Sequence, residues 1–177
     1  MIFALDFDRT LFMTDAHTRA LREVKRDAPI GTPQVLDVVD VRPFLYDDVR
    51  SFFDATHGSK KYIVSAVTWY GPTSEQYQEE KIRRSGVTAL VDGVLLTNDS
   101  KIAALTELSM RFPDEILVFV DDLVDHLVAV QAVLPRVHCI HMSRDGAEQK
   151  STVAVPEHMI TVHTLTELLH VVSAVAL

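Results

Sequence analysis

The chain predicts a doubly wound α/β fold, a mostly parallel sheet with helices on both faces. Three observations lead there. Short aliphatic or β-branched runs alternate with helix-like patterns from end to end. Most of those runs lack polar alternation, as strands buried on both faces do. The chain has 177 residues, 47% of them hydrophobic, enough for one domain with a full core and too short for two comfortable ones.

Taken in order, strands are expected at residues 2–5, 62–67, 93–96, 116–120 and 137–141, with a short edge strand at 159–162. Only the fifth shows some alternation. Residues 16–26 form a charged surface helix. Residues 43–56 carry Phe44, Leu45, Val49, Phe52 and Phe53 at helical spacing. The helix at 73–85 opens with a capping pair, Thr73 and Gln76, and a second capping box joins Thr164 to Glu167 before the last helix. Ile102, Leu105, Leu108 and Phe112 make one apolar stripe; Leu123, Leu127, Val130 and Leu134 make another. The stretches 28–40 and 143–156 are polar or irregular connections. There is no internal repeat and no low-complexity tract.

Composition narrows the function. With 17 Lys+Arg against 25 Asp+Glu, the formal net charge is −8, which repels polyanions and argues against a coat for duplex nucleic acid or an anionic-membrane binder. Cys139 is the single cysteine, so no internal disulfide forms, which suits a reducing compartment. The opening MIFALDFDRTLF meets Asp6 and Asp8 without a basic leader, and the apolar run after Ile116 is broken by Asp121, Asp122, Asp125 and His126. A cytoplasmic protein with no membrane partner is therefore expected, and an oligomer stays open.

The first strand runs into Asp6-Phe7-Asp8-Arg9-Thr10. Side chains alternate along a strand, so Asp6 and Asp8 are expected on one side as the strand ends. Carboxylates placed that closely repel unless a proton or cation relieves them, and a hard divalent ion such as Mg²⁺ does so naturally. The bland account is a solvated turn. A second buried strand, however, ends in Asp121-Asp122, with Asp125 following. In open α/β sheets ligands bind at the carboxyl ends of strands, where these acids gather.

Lys101 begins the helix at 102–112, where a cation opposes the positive end of the helix dipole and calls for an anionic partner. Ser65 and Thr68 lie at the end of the 62–67 strand, and either hydroxyl can donate to a phosphate oxygen or bond local backbone. Trp69 and Tyr70 follow, able to stack on a substrate ring or to pack on the next helix. Arg144 is expected in solvent, with a substrate anion as the other reading. The eight histidines show no ligand spacing.

DFDRTL resembles the DxDx[T/V] signature of the haloacid dehalogenase-like (HAD) superfamily, placed on the first strand as usual there. YIVS is similar to its second motif, SKIAAL supplies the third-motif lysine, and VFVDDLVD the fourth-motif acids, in the family's order over residues 2–126. The resemblance implies a Mg²⁺-dependent phosphomonoester hydrolase working through an aspartyl-phosphate. Asp6 is then the nucleophile and a metal ligand. Asp8 is the general acid and base, its backbone carbonyl on the metal. Ser65, Lys101 and Thr10 hold the phosphate, and Asp121 or Asp122 completes the metal shell, with Asp125 a second register.

Asp8 discriminates further, because the dehalogenases of the superfamily lack a carboxylate there. Two departures from the pattern are Arg9, where glycine is common, and the missing glycine before the fourth-motif acids. The 1–177 chain is expected to be a single catalytic domain with a small cap or loop insert at about residues 14–40. The expected substrate is a small phosphorylated molecule. Competing readings are a phosphotransferase or phosphomutase of the same fold, a non-catalytic binding scaffold, and a phospho-accepting receiver, whose motif order runs the other way.

Overall fold

The computed structural model describes residues 1–98, 100–148 and 150–175. Strands β1 (Ile2–Leu5), β2 (Lys60–Ala66), β3 (Gly93–Thr97), β4 (Leu117–Asp121), β5 (His138–Met142) and β6 (Ile160–Val162) form one parallel sheet in the order β3-β2-β1-β4-β5-β6. The chain therefore builds outward from β1 in one direction, then returns to its other side. β1 and β4 are neighbours at the switch point, with Leu5 in register with Val120.

Helices α1 (Thr14–Val24), α2 (Asp48–Ala55), α3 (Ser74–Ser85), α4 (Ile102–Arg111), α5 (Val124–Val133) and α6 (Leu165–Val175) cover both faces. Alternation along β1 decides which residue meets which layer. Phe3, Leu5 and Phe7 join Leu21 of α1, Phe52 of α2, Tyr77 and Ile82 of α3, and Leu168 of α6. Ile2 and Ala4 face the other way, against Leu105 and Leu108 of α4 and Leu127 and Val130 of α5. All four β1 residues are buried, which accounts for the unbroken apolar run in the sequence.

Three expectations are corrected. The helix expected at 43–56 is broken: a 3₁₀ turn spans Arg42–Phe44, the chain extends at Leu45, and α2 starts at Asp48. The reason is competition for backbone groups. Met13 N–H donates to Phe44 O (2.7 Å) and Tyr46 N–H to Leu11 O (3.0 Å), so this segment pairs with the loop after β1. The Thr73–Gln76 cap is absent, because the Thr73 hydroxyl donates to Gly31 O (3.0 Å). The stretch 28–40 contains a 3₁₀ turn, Pro33–Asp37, that buries Val35 and Leu36.

The second capping box forms: Glu167 N–H donates to Thr164 Oγ1 (3.0 Å), and the Glu167 carboxylate accepts from His163 N–H (2.7 Å). Residues 14–40 supply one helix and a short turned loop, with no large cap. Among the described residues no helix is long and apolar enough to cross a membrane.

Candidate active site

Where β1 ends, Asp6 N–H still bonds Val120 O (2.8 Å), which holds the residue at the switch point. Its side chain follows Ile2 and Ala4 onto the α4–α5 face. There Lys101, at the head of α4, donates from Nζ to Asp6 Oδ1 (2.5 Å) and to Asp121 Oδ2 (2.7 Å). The unfavourable position of a lysine against a helix dipole is thus offset by two carboxylates, and Lys101 is fully buried between them.

Asp121 also accepts from Leu123 N–H (2.8 Å) and from His126 Nδ1 (3.0 Å). Burial pushes its carboxyl up, but the charge of Lys101 and the His126 bond outweigh that and hold it low. Asp6 and Asp122 go the other way. Burial raises both, and the neighbouring carboxylates add to it, more than Lys101 offsets.

Asp6, Asp121 and Asp122 each present an oxygen within 4.8 Å of the others. Asp6 Oδ2 is buried and has no hydrogen-bond partner. An all-oxygen cluster of excess negative charge fits a hard divalent cation such as Mg²⁺, which these three residues could hold. Asp125 lies outside the cluster. Its carboxylate takes Thr152 N–H (2.8 Å) and the Thr152 hydroxyl.

Asp8 does not share the Asp6 cluster. The chain turns sharply at Arg9, whose φ of 60° lies in the left-handed region. Asp8 accepts from Lys81 Nζ (2.7 and 2.9 Å), Gln78 Nε2 (2.6 Å) and Thr14 Oγ1 (2.5 Å). Burial opposes its charge, but Lys81 and these bonds prevail and hold the carboxyl at about 2. The Lys81 ammonium lies 5.3–5.6 Å from the ring centroids of Tyr77, Phe7 and Phe12, in reach of cation–π attraction.

The remaining predicted residues fall in different places. Ser65 is buried, and its hydroxyl accepts from Gln78 Nε2 (2.8 Å), whereas Thr68 is exposed and lines the cleft. Thr10 is fully buried with Oγ1 unpartnered. Trp69 is 76% exposed and is not part of the cleft lining. Tyr70 lines the cleft and lies over Gly31.

Arg144 is neither solvated nor in the cleft. It is buried, bonds both Asp48 oxygens (2.6 and 2.9 Å), donates twice to Thr10 O (3.1 and 2.9 Å), and stacks 4.1 Å from the Tyr46 ring. Arg9 is bound to Asp15 through two bonds (3.0 and 2.6 Å).

Gln78, Lys81 and Thr14 do not stand out in the sequence. The one signal for the first two was available: both sit beside Tyr77 and Ile82 on the face α3 buries, where a lysine needs a partner.

No protein-family model matches the chain, and no curated protein does. Solved structures match over nearly its whole length. A haloacid dehalogenase-like hydrolase from Burkholderia xenovorans LB400 superposes with a TM-score of 0.76 at 18% identity, covering 99% of this chain and 98% of that one. A haloacid dehalogenase-like family hydrolase from Xanthomonas campestris gives 0.64 at 12%, covering 98% and 95%. An L-2-haloacid dehalogenase from Xanthobacter autotrophicus gives 0.61 at 11%, covering 98% of each. The likeness is one of fold: the chain has the haloacid dehalogenase-like fold.

Proposed function

We propose that this protein is a Mg²⁺-dependent phosphomonoester hydrolase in which Asp6 carries the phosphoryl group between its two half-reactions. The observation that carries this reading is the free Oδ2 of Asp6, buried beside Asp121 and Asp122 while Lys101 holds Oδ1. A carboxylate oriented by one oxygen and free at the other is arranged as a nucleophile. Asp8 supports phosphate chemistry over the carbon–halogen cleavage named for the Xanthobacter relative, since the dehalogenases lack that carboxylate.

Mg²⁺ held by Asp6, Asp121 and Asp122 would supply counter-charge for the phosphoryl oxygens. Asp6 attacks phosphorus in line with the ester oxygen, the phosphorus–ester bond breaks, and the leaving oxygen takes a proton. Water then attacks the same phosphorus, its proton passes to Asp8, and the bond to Asp6 breaks to release phosphate. Asp8 is held ionised, the form that accepts that proton. For the first half-reaction it must carry a proton, and the one it takes from water in one turnover is the one it gives to the leaving oxygen in the next. Lys101 adds fixed positive charge beside the transferring group, and Thr68, facing the cleft, is the better placed of the two candidate hydroxyls.

The test is hydrolysis of p-nitrophenyl phosphate by the wild type and by Asp6→Asn, each with Mg²⁺ and with EDTA. Turnover that needs Mg²⁺ and falls by about a thousandfold or more in Asp6→Asn is expected. Undiminished turnover in the variant, or turnover indifferent to EDTA, would sink the reading.

A further inference from the structure

The cleft before the carboxylates has a volume of about 510 Å³. That lies within the range of roughly 300–1,000 Å³ typical of pockets that enclose a whole small molecule. A phosphoryl group fills only a small part of it, so the walls must meet the leaving group. One wall is α1, through Thr18, Arg19 and Arg22.

The charges lining the cleft pair off with this one exception. Asp8 is bound by Lys81, Asp15 by Arg9, and Asp121 by Lys101 and His126. Glu148 has Lys150 at 3.9 Å, and Asp6 and Asp122 belong to the cation site. Arg19 and Arg22 are left over. Both are exposed, they stand about one turn apart on the same helix, and neither forms an ion pair with a described residue. In a chain of net charge −8, two unclaimed guanidiniums on the cleft wall mark a place for an anion. Guanidinium presents a rigid fork of N–H donors matched to phosphate oxygens.

We propose that Thr18, Arg19 and Arg22 form a subsite for a second phosphate, carried on the leaving group, so that the preferred substrate is a bisphosphate. The proposal rests on the phosphatase reading for the identity of the first phosphate. Sugar bisphosphates and nucleoside bisphosphates share this chemistry, and the experiment separates them.

Binding is measured by calorimetry on Asp6→Asn with Mg²⁺, so that nothing is consumed. The ligands are a hexose 1,6-bisphosphate and its 6-monophosphate, and a nucleoside 3′,5′-bisphosphate and its 5′-monophosphate. In at least one series the bisphosphate should bind about tenfold tighter, the sum of two exposed charge contacts. R19A/R22A should bring that ratio close to one, and R19K/R22K, which keeps charge but not the fork, should restore part of it. Equal affinity for mono- and bisphosphate in both series, a preference that survives in R19A/R22A, or no binding of any of the four overturns the subsite. Turnover of p-nitrophenyl phosphate by the wild type reports separately on the phosphatase reading. Turnover without bisphosphate preference removes only the subsite, and preference without turnover removes only the hydrolase.

Discussion

Asp6 and Asp8 are two positions apart in the sequence and live in opposite environments. Asp6 shares a buried site with two other acids, so its charged form is disfavoured. Asp8 is surrounded by donors and stays charged. The stability consequence has a definite sign. Asp8 and Asp121 are both depressed to about 2, against an ordinary aspartate value near 3.8. The unfolded chain therefore binds protons that the folded one refuses, and the stabilisation is complete above about pH 4 and lost as pH falls toward 2. Urea titrations across that window should show stability dropping with acid, and Lys81→Met should remove much of the Asp8 share. The same variant should move the basic limb of kcat/KM, which reports the protonated Asp8 that the first half-reaction needs, to higher pH, because Asp8 loses the charge that keeps it ionised. An unmoved limb would mean that Asp8 is not the group titrating.

At the level of elements, the site is held by connections more than by strands. Arg144, after β5, joins the carbonyl of Thr10 to Asp48, and Asp48 in turn accepts the Leu165 N–H at the head of α6 (2.8 Å). Removing it strips the Thr10 carbonyl of the two N–H donors from this side chain and leaves the largely buried Asp48 carboxylate with the Leu165 N–H but no counter-charge. Arg144→Ala should cost about 3 kcal/mol, and lower Tm by roughly 6–12 °C for a chain of this size. Gly31 is a second such point. Its φ is +96°, and an added Cβ would stand 2.4 Å from the Tyr70 Cβ, so Gly31→Ala should loosen the junction between the loop after α1 and the head of α3, seen as faster amide exchange there. Neither residue was legible in the sequence. The strands were, because β1 and β4 are buried along their whole length with apolar runs unbroken up to the acids, and β2 is buried around its Tyr62–Val64 run. The Asp6, Asp121 and Asp122 cluster was legible for the same reason, Asp6 and Asp121 each closing such a run and Asp122 following directly. Arg144 and Lys81 were not, because a long polar side chain reads as solvated until the partner, 96 or 73 residues away, is known. The broken helix at 43–56 failed likewise: spacing reports a face, and the pairing of residues 44–46 with the loop after β1 is a non-local fact.

Across the whole molecule, the sheet order places β1 beside β4, so acids more than a hundred residues apart in sequence meet at the one crevice that a doubly wound sheet leaves open. A ligand that binds only this folded arrangement stabilises it by mass action. Adding Mg²⁺ to EDTA-treated protein should raise Tm in a saturable way, with little effect in a variant that replaces Asp121 and Asp122 by Asn, and a flat response in the wild type would contradict the cation site. The Lys101 ammonium already offsets part of the charge of this cluster. Seated between Asp6 and Asp121, it is a built-in monovalent placeholder, present from the moment the chain closes. Small zinc domains wait for their ion before they fold. On the proposed Mg²⁺-dependent reading, the fold does not wait for the ion, so a chelator should stop turnover while leaving the far-UV spectrum nearly unchanged.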